Sequence, residues 1–326
     1  MGEFELLRKV RERLGADGDR VVVGSGDDAA VTVPGGATAT SVDAVVDGVH
    51  FRREHYESLD GIGCKALAAA LSDLAAMGAE AGEAYVVVGA PADLGEAALL
   101  ELVDGVVALA GETGTTLAGG DLTSSPVLFV SITVVGHAGS PGELVGRAGA
   151  RPGDILVVSG ELGAAAAGLL LAEGRADQLS SAERAGLLAR QLRPSPRLRA
   201  GRALAAAGAR AMIDISDGLG GDAVHLSEAS GVGLRIDAEA LPLAVGVVEV
   251  ATAAGRDPLE LAVSGGEDYE LLAALPPSTA AADIDQLSRE ADAPITIVGE
   301  AVDEAGVEIR RPEGPPLDPS GFEQLR

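Results

Sequence analysis

The sequence predicts an α+β fold in two domains, and three observations lead there. Strand-like and helix-like segments interleave along the whole chain, which excludes all-α and all-β architectures. The first half is dense in strands joined by hairpin-like turns such as Pro34-Gly35-Gly36, which favours α+β over a doubly wound parallel sheet. A domain typically takes ~100–200 residues. The chain has 326 residues, room for two, and is broken by a stretch rich in glycine and charge, Gly146 to Asp154. We place the boundary there, giving domains of residues 1–148 and 149–326.

In order, Glu3 to Leu14 has helical spacing of Phe4, Leu7, Val10 and Leu14, with Gly15 as a stop. Arg20 to Val23 reads as a strand, Gly24 to Asp28 as a glycine-rich loop ending in paired acids, and Ala29 to Val33 and Ala37 to Val42 as strands. Asp43 to Phe51 reads as a loop and Gly61 to Gly78 as a helix. Tyr85 to Ala90 is a strand, Gly95 to Thr113 a helix, Thr115 to Ala118 a strand entering Gly119-Gly120-Asp121, and Val127 to Val135 a strand.

Past the boundary, Ile155 to Val158 reads as a strand and Glu161 to Glu173 and Ser181 to Leu192 as helices. Pro194-Ser195-Pro196 opens a helix running to about Ala207. The apolar strand Arg210 to Ile215 stops at Asp214-Ile215-Ser216-Asp217-Gly218, followed by a helix over 221–230 and a strand, Val232 to Ile236. The loop Ser264-Gly265-Gly266-Glu267-Asp268-Tyr269-Glu270 feeds the strand Leu271 to Leu275; a helix over 280–291 and the strand Ile295 to Val298 follow.

The formal charge is −26, which argues against nucleic acid or an anionic membrane as partner. Apolar residues make up 47%, enough for a sizeable core. A membrane helix needs ~20 apolar residues in a row, and no run here reaches that length. Cys64 is the single cysteine, so no internal disulfide forms. The acidic start, Met1 to Glu5, lacks a signal-peptide pattern, and a cytoplasmic protein is expected.

The chemistry lies in aspartates. Asp27, Asp28, Asp43, Asp121, Asp214 and Asp217 fall at strand ends or glycine-rich turns, where each alone is ordinary turn chemistry. Asp73 differs: an acid within Ala70-Leu71-Ser72-Asp73-Leu74-Ala75-Ala76-Met77-Gly78 needs a partner. Carboxylates of this kind suit Mg²⁺ and phosphate chemistry. No Walker loop and no protein-kinase motif set occurs. Lys9 and Lys65 are the only lysines, so phosphate would be neutralised mainly by metal and by arginine; Arg147 is placed for it, or is a solvated linker residue. His50 is a hydrogen-bond partner for a substrate phosphate or a plain loop histidine.

These segments, in order, resemble the thiamine-monophosphate kinase family: Gly26-Asp27-Asp28-Ala29-Ala30, Ser41-Val42-Asp43 with Gly48-Val49-His50-Phe51, Leu71 to Ala79, Gly119-Gly120-Asp121, Arg147 to Asp154, Ile213 to Leu219 and Ser264 to Leu271. The resemblance implies the fold of the aminoimidazole-ribonucleotide synthetase superfamily: two α/β domains, the first dimerising through a β-barrel and the nucleotide held in the cleft between domains. It implies phosphoryl transfer from ATP to thiamine monophosphate with several Mg²⁺ ions. The implied metal ligands are Asp28, Ser41, Asp43, Asp73, Asp121, Asp214 and Asp217, with Asp73, Asp214 and Asp217 at the chemistry. ATP would meet Gly120, Asp121, Arg147 and Ser216. Thiamine monophosphate would meet His50, Glu267 and the aromatic Phe322. The family often has threonine where this chain has Val42. Alternatives are another ATP-using superfamily member, of the purine-pathway or hydrogenase-maturation kind, and a non-catalytic nucleotide or metal sensor.

Overall fold

The computed structural model describes residues 3–14, 18–25, 29–176, 179–279, 281–311 and 313–321. The chain divides into two compact units: Met1–Leu74 with Ala79–Pro141, and Ala75–Gly78 with Gly142–Arg326. Both carry mixed sheets with helices, the α+β class that the hairpin-rich first half predicts.

The first unit contains α1 (Glu3–Arg11), β1 (Val21–Val23), β2 (Val31–Thr32), β3 (Ala37–Val46), α2 (Asp60–Ala76), β4 (Glu80–Ala90), α3 (Glu96–Thr113), β5 (Thr116–Ser124) and β6 (Phe129–Ala138). β1 and β2 form a two-stranded ribbon. The main sheet has the order β3-β6-β4-β5, antiparallel except where β5 runs parallel to β4. From Gly61 to Leu74 every residue of α2 is buried except Asp73, as expected of a helix apolar on all sides. α2 and α3 cross on glycines. A Cβ on Gly63 would stand 2.0 Å from the Leu102 carbonyl oxygen, and one on Gly105 1.8 Å from that of Asp60. α3 stops where Gly114 turns left-handed (φ 71°) and returns its N–H to Ala110.

The second unit contains β7 (Ile155–Ser159), α4 (Ala164–Ala172), α5 (Ser181–Leu192), α6 (Leu198–Ala206), β8 (Ala211–Ile215), α7 (Leu219–Ser230), β9 (Gly233–Asp237), α8 (Val247–Ala253), α9 (Pro258–Ser264), β10 (Glu270–Leu275), α10 (Ala281–Ala291), β11 (Ile295–Val302) and β12 (Val307–Arg310). Its sheet has the order β12-β9-β11-β7-β10-β8, antiparallel apart from β12 with β9. The apolar runs read as strands β7, β10 and β8 lie side by side, with β8 at the sheet edge, and their Leu156, Val158, Ile213 and Leu272 pack with Leu219 and Leu226 of α7. A second cluster joins Leu170, Leu171, Leu187, Val247 and Val250 across α4, α5 and α8. A Ser180/Glu183 capping box starts α5, and Asp257 with Pro258 starts α9.

Two sequence expectations are corrected. Asp43 lies inside β3, which runs on to Val46 in unbroken register with β6, rather than in a loop. Asp121 lies inside β5, because parallel pairing with β4 carries that strand past the glycines to Ser124.

The glycine crossing is testable. Gly105→Ala should destabilise by ~1–3 kcal/mol through overpacking. Gly111→Ala on the same helix, where an added Cβ meets nothing within 4 Å, should be neutral or stabilising. Thermal melts decide; a Tm for Gly105→Ala at or above wild type would refute the close approach.

Candidate active site

In the first unit the site residues gather on β3 and its neighbours. Side chains alternate along a strand, so Ser41 and Asp43 share one face and Val42 points to the other. Val42 is 66% exposed there. Ser41 Oγ hydrogen-bonds Asp73 Oδ2, which gives the half-buried acid of α2 its partner. Asp43 Oδ1 accepts from the Ala44 N–H at 2.7 Å, and the Asp43 carbonyl accepts from Ser131 Oγ at 3.1 Å. His50 follows the end of β3. Its Nδ1 accepts from the Val46 N–H at 3.1 Å, so the neutral ring carries its proton on Nε2, available to donate.

Asp121 is exposed on edge strand β5, its Oδ1 accepting from the Leu122 N–H at 2.9 Å. Gly120 has a structural reason of its own: an added Cβ would come within 2.1 Å of the Val86 carbonyl oxygen. Both border a cavity of about 500 Å³. Its walls are mostly aliphatic, from α1, α3 and β4, including Val86, Leu102 and Val106, with Tyr85 beside them. That is the size and character of a small-ligand pocket. Sequence reading missed it, because aliphatic residues at helical spacing look like any core face.

In the second unit β8 delivers Asp214, buried at its end, and the chain turns through Ser216 and Asp217 into α7. Asp222, in the first turn of α7, shapes that turn. Its Oδ2 accepts from the Ser216 and Asp217 N–H groups, each at 3.0 Å. Burial first, then the charges of Asp214 and Asp217, push Asp222 up to about 8 against those two bonds. Asp217 is also raised by burial, with His225 and Arg147 opposing; this puts the exposed Arg147 in the field of Asp217. Sequence reading missed Asp222, whose only signal is its place five residues after Asp217. A first-turn acid there is also ordinary helix chemistry.

The Ser264–Glu270 loop lies against the same turn. The Glu267 N–H bonds the Ser216 carbonyl at 2.8 Å and the Tyr269 N–H bonds that of Ile215 at 2.9 Å. Gln191 Nε2 donates to Glu267 Oε2 at 2.9 Å. Asp268 accepts from the Gly163 and Ala165 N–H groups at the start of α4, at 2.7 and 3.1 Å. Burial still lifts it to about 7. Glu270 is fully buried. It accepts from Arg197 Nε at 2.7 Å and from Arg197 Nη2 at 2.6 Å. Arg190 and Ser159 Oγ complete this charge-assisted set. Glu267 and Tyr269 sit at φ 60° and 50°. Such left-handed conformations cost ~1–3 kcal/mol each and persist only when the surroundings impose them.

The structure therefore brings Ser41 together with Asp73, and Asp43 onto their strand face. Separately it brings together Asp214, Ser216, Asp217, Glu267 and Arg147. Asp28 and Phe322 lie outside the described residues. Among the described residues no three His, Cys, Asp or Glu side chains form a set that could hold a metal ion, and no helix is long and apolar enough to cross a membrane.

Residues 26–138 match the AIR synthase related protein, N-terminal domain, and residues 151–311 match its C-terminal domain. The chain thus has the two-domain α+β fold of AIR synthase related proteins. It is 41% identical over 278 residues to a thiamine-monophosphate kinase of Mycobacterium tuberculosis, covering 84% of this chain and 80% of the other. It superposes on the crystal structure of thiamine-monophosphate kinase from Stenotrophomonas maltophilia K279a with TM-score 0.83 at 35% identity, covering 95% of this chain and 96% of that one. AaThiL complexed with AMPPCP and TMP matches with TM-score 0.75 at 29% identity, covering 97% and 96%. The chain belongs to the thiamine-monophosphate kinase family and is a phosphotransferase.

The raised Asp222 carboxyl sets a pH dependence. Its folded-state value is about 8, above the unfolded carboxylate value of about 4. Folding therefore takes up a proton between those limits. Asp222 weakens the fold progressively as pH rises through that window. In chelator, Asp222→Asn keeps the acceptor and removes the charge. Its Tm should match wild type near pH 4 and exceed it by a margin that grows to pH 8 and then levels. A difference that does not change with pH would show that Asp222 is ionised throughout.

Proposed function

We propose that this chain transfers the γ-phosphoryl group of ATP to thiamine monophosphate, giving thiamine diphosphate and ADP. The observation that carries the reading is the Ser41–Asp73 pair. A helix buried through Gly61–Leu74 leaves one acid open, and the strand bearing Asp43 on the same face meets it. The sequence relatives and AaThiL bound to an ATP analogue and TMP support the same chemistry.

Mg²⁺ fits the donor set. All the donors are hard oxygens, and Mg²⁺ needs only one or two carboxylates from a protein, taking its other ligands from water and phosphate. Ser41, Asp43, Asp73 and Asp121 of the first unit, Asp214 and Asp217 of the second, and Asp28 would hold the ions. Bound there, Mg²⁺ supplies the positive charge that lets two anionic phosphates approach.

The remaining work falls to the chain. Gly120 and Asp121 flank the apolar cavity, which is suited to a nucleotide base. Arg147 and Ser216 offer a guanidinium and a hydroxyl to phosphate oxygens. His50 donates from Nε2 to the acceptor phosphate, Glu267 is fixed by Gln191, and the thiamine end is the part that the resemblance gives to Glu267 and Phe322. The acceptor is a phosphate monoester, already anionic near pH 7, so no strong general base is required. The residues act by alignment for direct in-line transfer. The same reading makes the protein a cytoplasmic homodimer joined through the first unit.

A coupled ADP-release assay with thiamine monophosphate, thiamine and aminoimidazole precursors side by side tests the substrate. Turnover is expected with thiamine monophosphate alone; absence of that turnover sinks the proposal. Asp73→Asn and Asp214→Asn should each lower kcat by ~10²-fold or more, the scale of losing one preorganised electrostatic group, with unchanged circular dichroism. Wild-type turnover in either variant at saturating Mg²⁺ removes that residue from the mechanism.

A further inference from the structure

Ser230, the last residue of α7, gives its side chain to the loop that carries Arg147. Its Oγ accepts from the N–H groups of Gly149 and Ala150, each at 3.2 Å, and donates to the Arg147 carbonyl at 2.9 Å. A serine hydroxyl has one proton and two lone pairs, so these three bonds use all of it. The rest of the loop is pinned from the side of β8. The Met212 N–H bonds the Gly146 carbonyl at 2.9 Å. Gly149 sits at φ 129°, and a Cβ there would lie 2.4 Å from the Arg210 carbonyl oxygen. Ala150 is buried in the core cluster that holds Ala223 and Leu226 of α7. The Arg147 backbone is thus bracketed between β8 and Ser230, while Arg147 itself is exposed.

α7 therefore acts on the site from both ends. In its first turn Asp222 holds the N–H groups of Ser216 and Asp217. At its last residue Ser230 holds the Arg147 loop. Between them Leu219, Ala223 and Leu226 are fully buried, so the helix is anchored in the core along its length. Arg147 lies in the field of Asp217, and one helix fixes the backbone of both. A serine before glycine at a helix end is ordinary in sequence, and nothing local marks Ser230.

We propose that Ser230 is a positioning residue for Arg147. Through the Arg147 carbonyl and the N–H groups of Gly149 and Ala150, it fixes the loop from which the guanidinium reaches the nucleotide phosphates. Without the hydroxyl those three backbone groups lose their common partner, and the guanidinium is no longer aimed. This rests on the phosphoryl-transfer reading above, which gives Arg147 to ATP.

The test is calorimetric titration of full-length variants with AMPPCP, an ATP analogue, in saturating Mg²⁺, with steady-state kinetics beside it. Ser230→Ala removes the three bonds yet suits a helix better than serine, so melting of α7 is not the expected cause of any loss. Its Kd for AMPPCP should rise about tenfold, the scale of one net hydrogen bond, with KM for thiamine monophosphate within twofold. Ser230→Thr keeps the hydroxyl and should bind within twofold of wild type. In an Arg147→Ala background, Ser230→Ala should add nothing. An analogue Kd within twofold of wild type in Ser230→Ala overturns the proposal. So does an undiminished effect in the Arg147→Ala background, an equal rise in the acceptor KM, or binding in Ser230→Thr as weak as in Ser230→Ala; each marks a general defect. If Ser230→Ala does not fold, Gly149→Ala, which displaces the loop from the β8 side, decides by the same readings. Failure of the phosphoryl-transfer reading looks different: the wild-type chain then binds the analogue but turns over no thiamine monophosphate, and the Ser230 result stands. A wild-type chain that binds no analogue removes both.

Discussion

A carboxyl group taken out of water must find partners, and in the second unit three buried carboxyl groups find them in the loops that carry the site. Asp222 holds the N–H groups of Ser216 and Asp217. Asp268 ties the Ser264–Glu270 loop to the start of α4. Glu270 anchors the end of that loop between Arg190, Arg197 and Ser159. Removing one partner from a buried ion pair costs ~3–5 kcal/mol, so the loop has little freedom to relax. That rigidity keeps Glu267 and Tyr269 in left-handed conformations and holds Glu267 beside Ser216. The acids that look catalytic in the sequence thus depend on others that act through the backbone.

How much of this could be read beforehand follows from which forces are local. Short apolar runs announced β7, β8 and β10, and the buried helix around Asp73 announced α2. Asp43 and Asp121 were misplaced because sheet pairing, a long-range effect, carries β3 and β5 through polar and glycine residues that read as turns. Helices α8 and α9, seven residues each, and β12, four residues, are too short for periodicity to register. The ordered motifs told the family; the cavity beside Gly120 and the grip of Asp222 needed coordinates, because each depends on residues far apart or on burial that sequence does not record.

In the first unit, strand alternation does what sequence spacing alone could not. With a period of two, Ser41 and Asp43 must point the same way and Val42 the other. Val42, where the resemblance leads one to expect threonine, therefore lies on the opposite face of β3 and takes no part in the Ser41–Asp73 contact.

The composition explains why glycine recurs wherever the structure is tight. With four Phe, three Tyr, no Trp and 45 Gly, the chain has few large side chains with which to fill gaps between elements. It closes those gaps by bringing backbones together instead. A Cβ on Gly168 would come within 2.3 Å of the Leu187 carbonyl oxygen, and one on Gly299 within 2.0 Å of that of Arg235. Such contacts have no side chain that can change rotamer, so they fix register more strictly than a Leu–Leu contact does. The first turn of α7 shows the same habit at the edge of the site: a Cβ on Gly221 would lie 2.8 Å from the Cα of Gly321. A tail held through its own backbone reaches the Asp217 turn in one register, set where Gly321 meets Gly221 and not by the rotamer of any side chain.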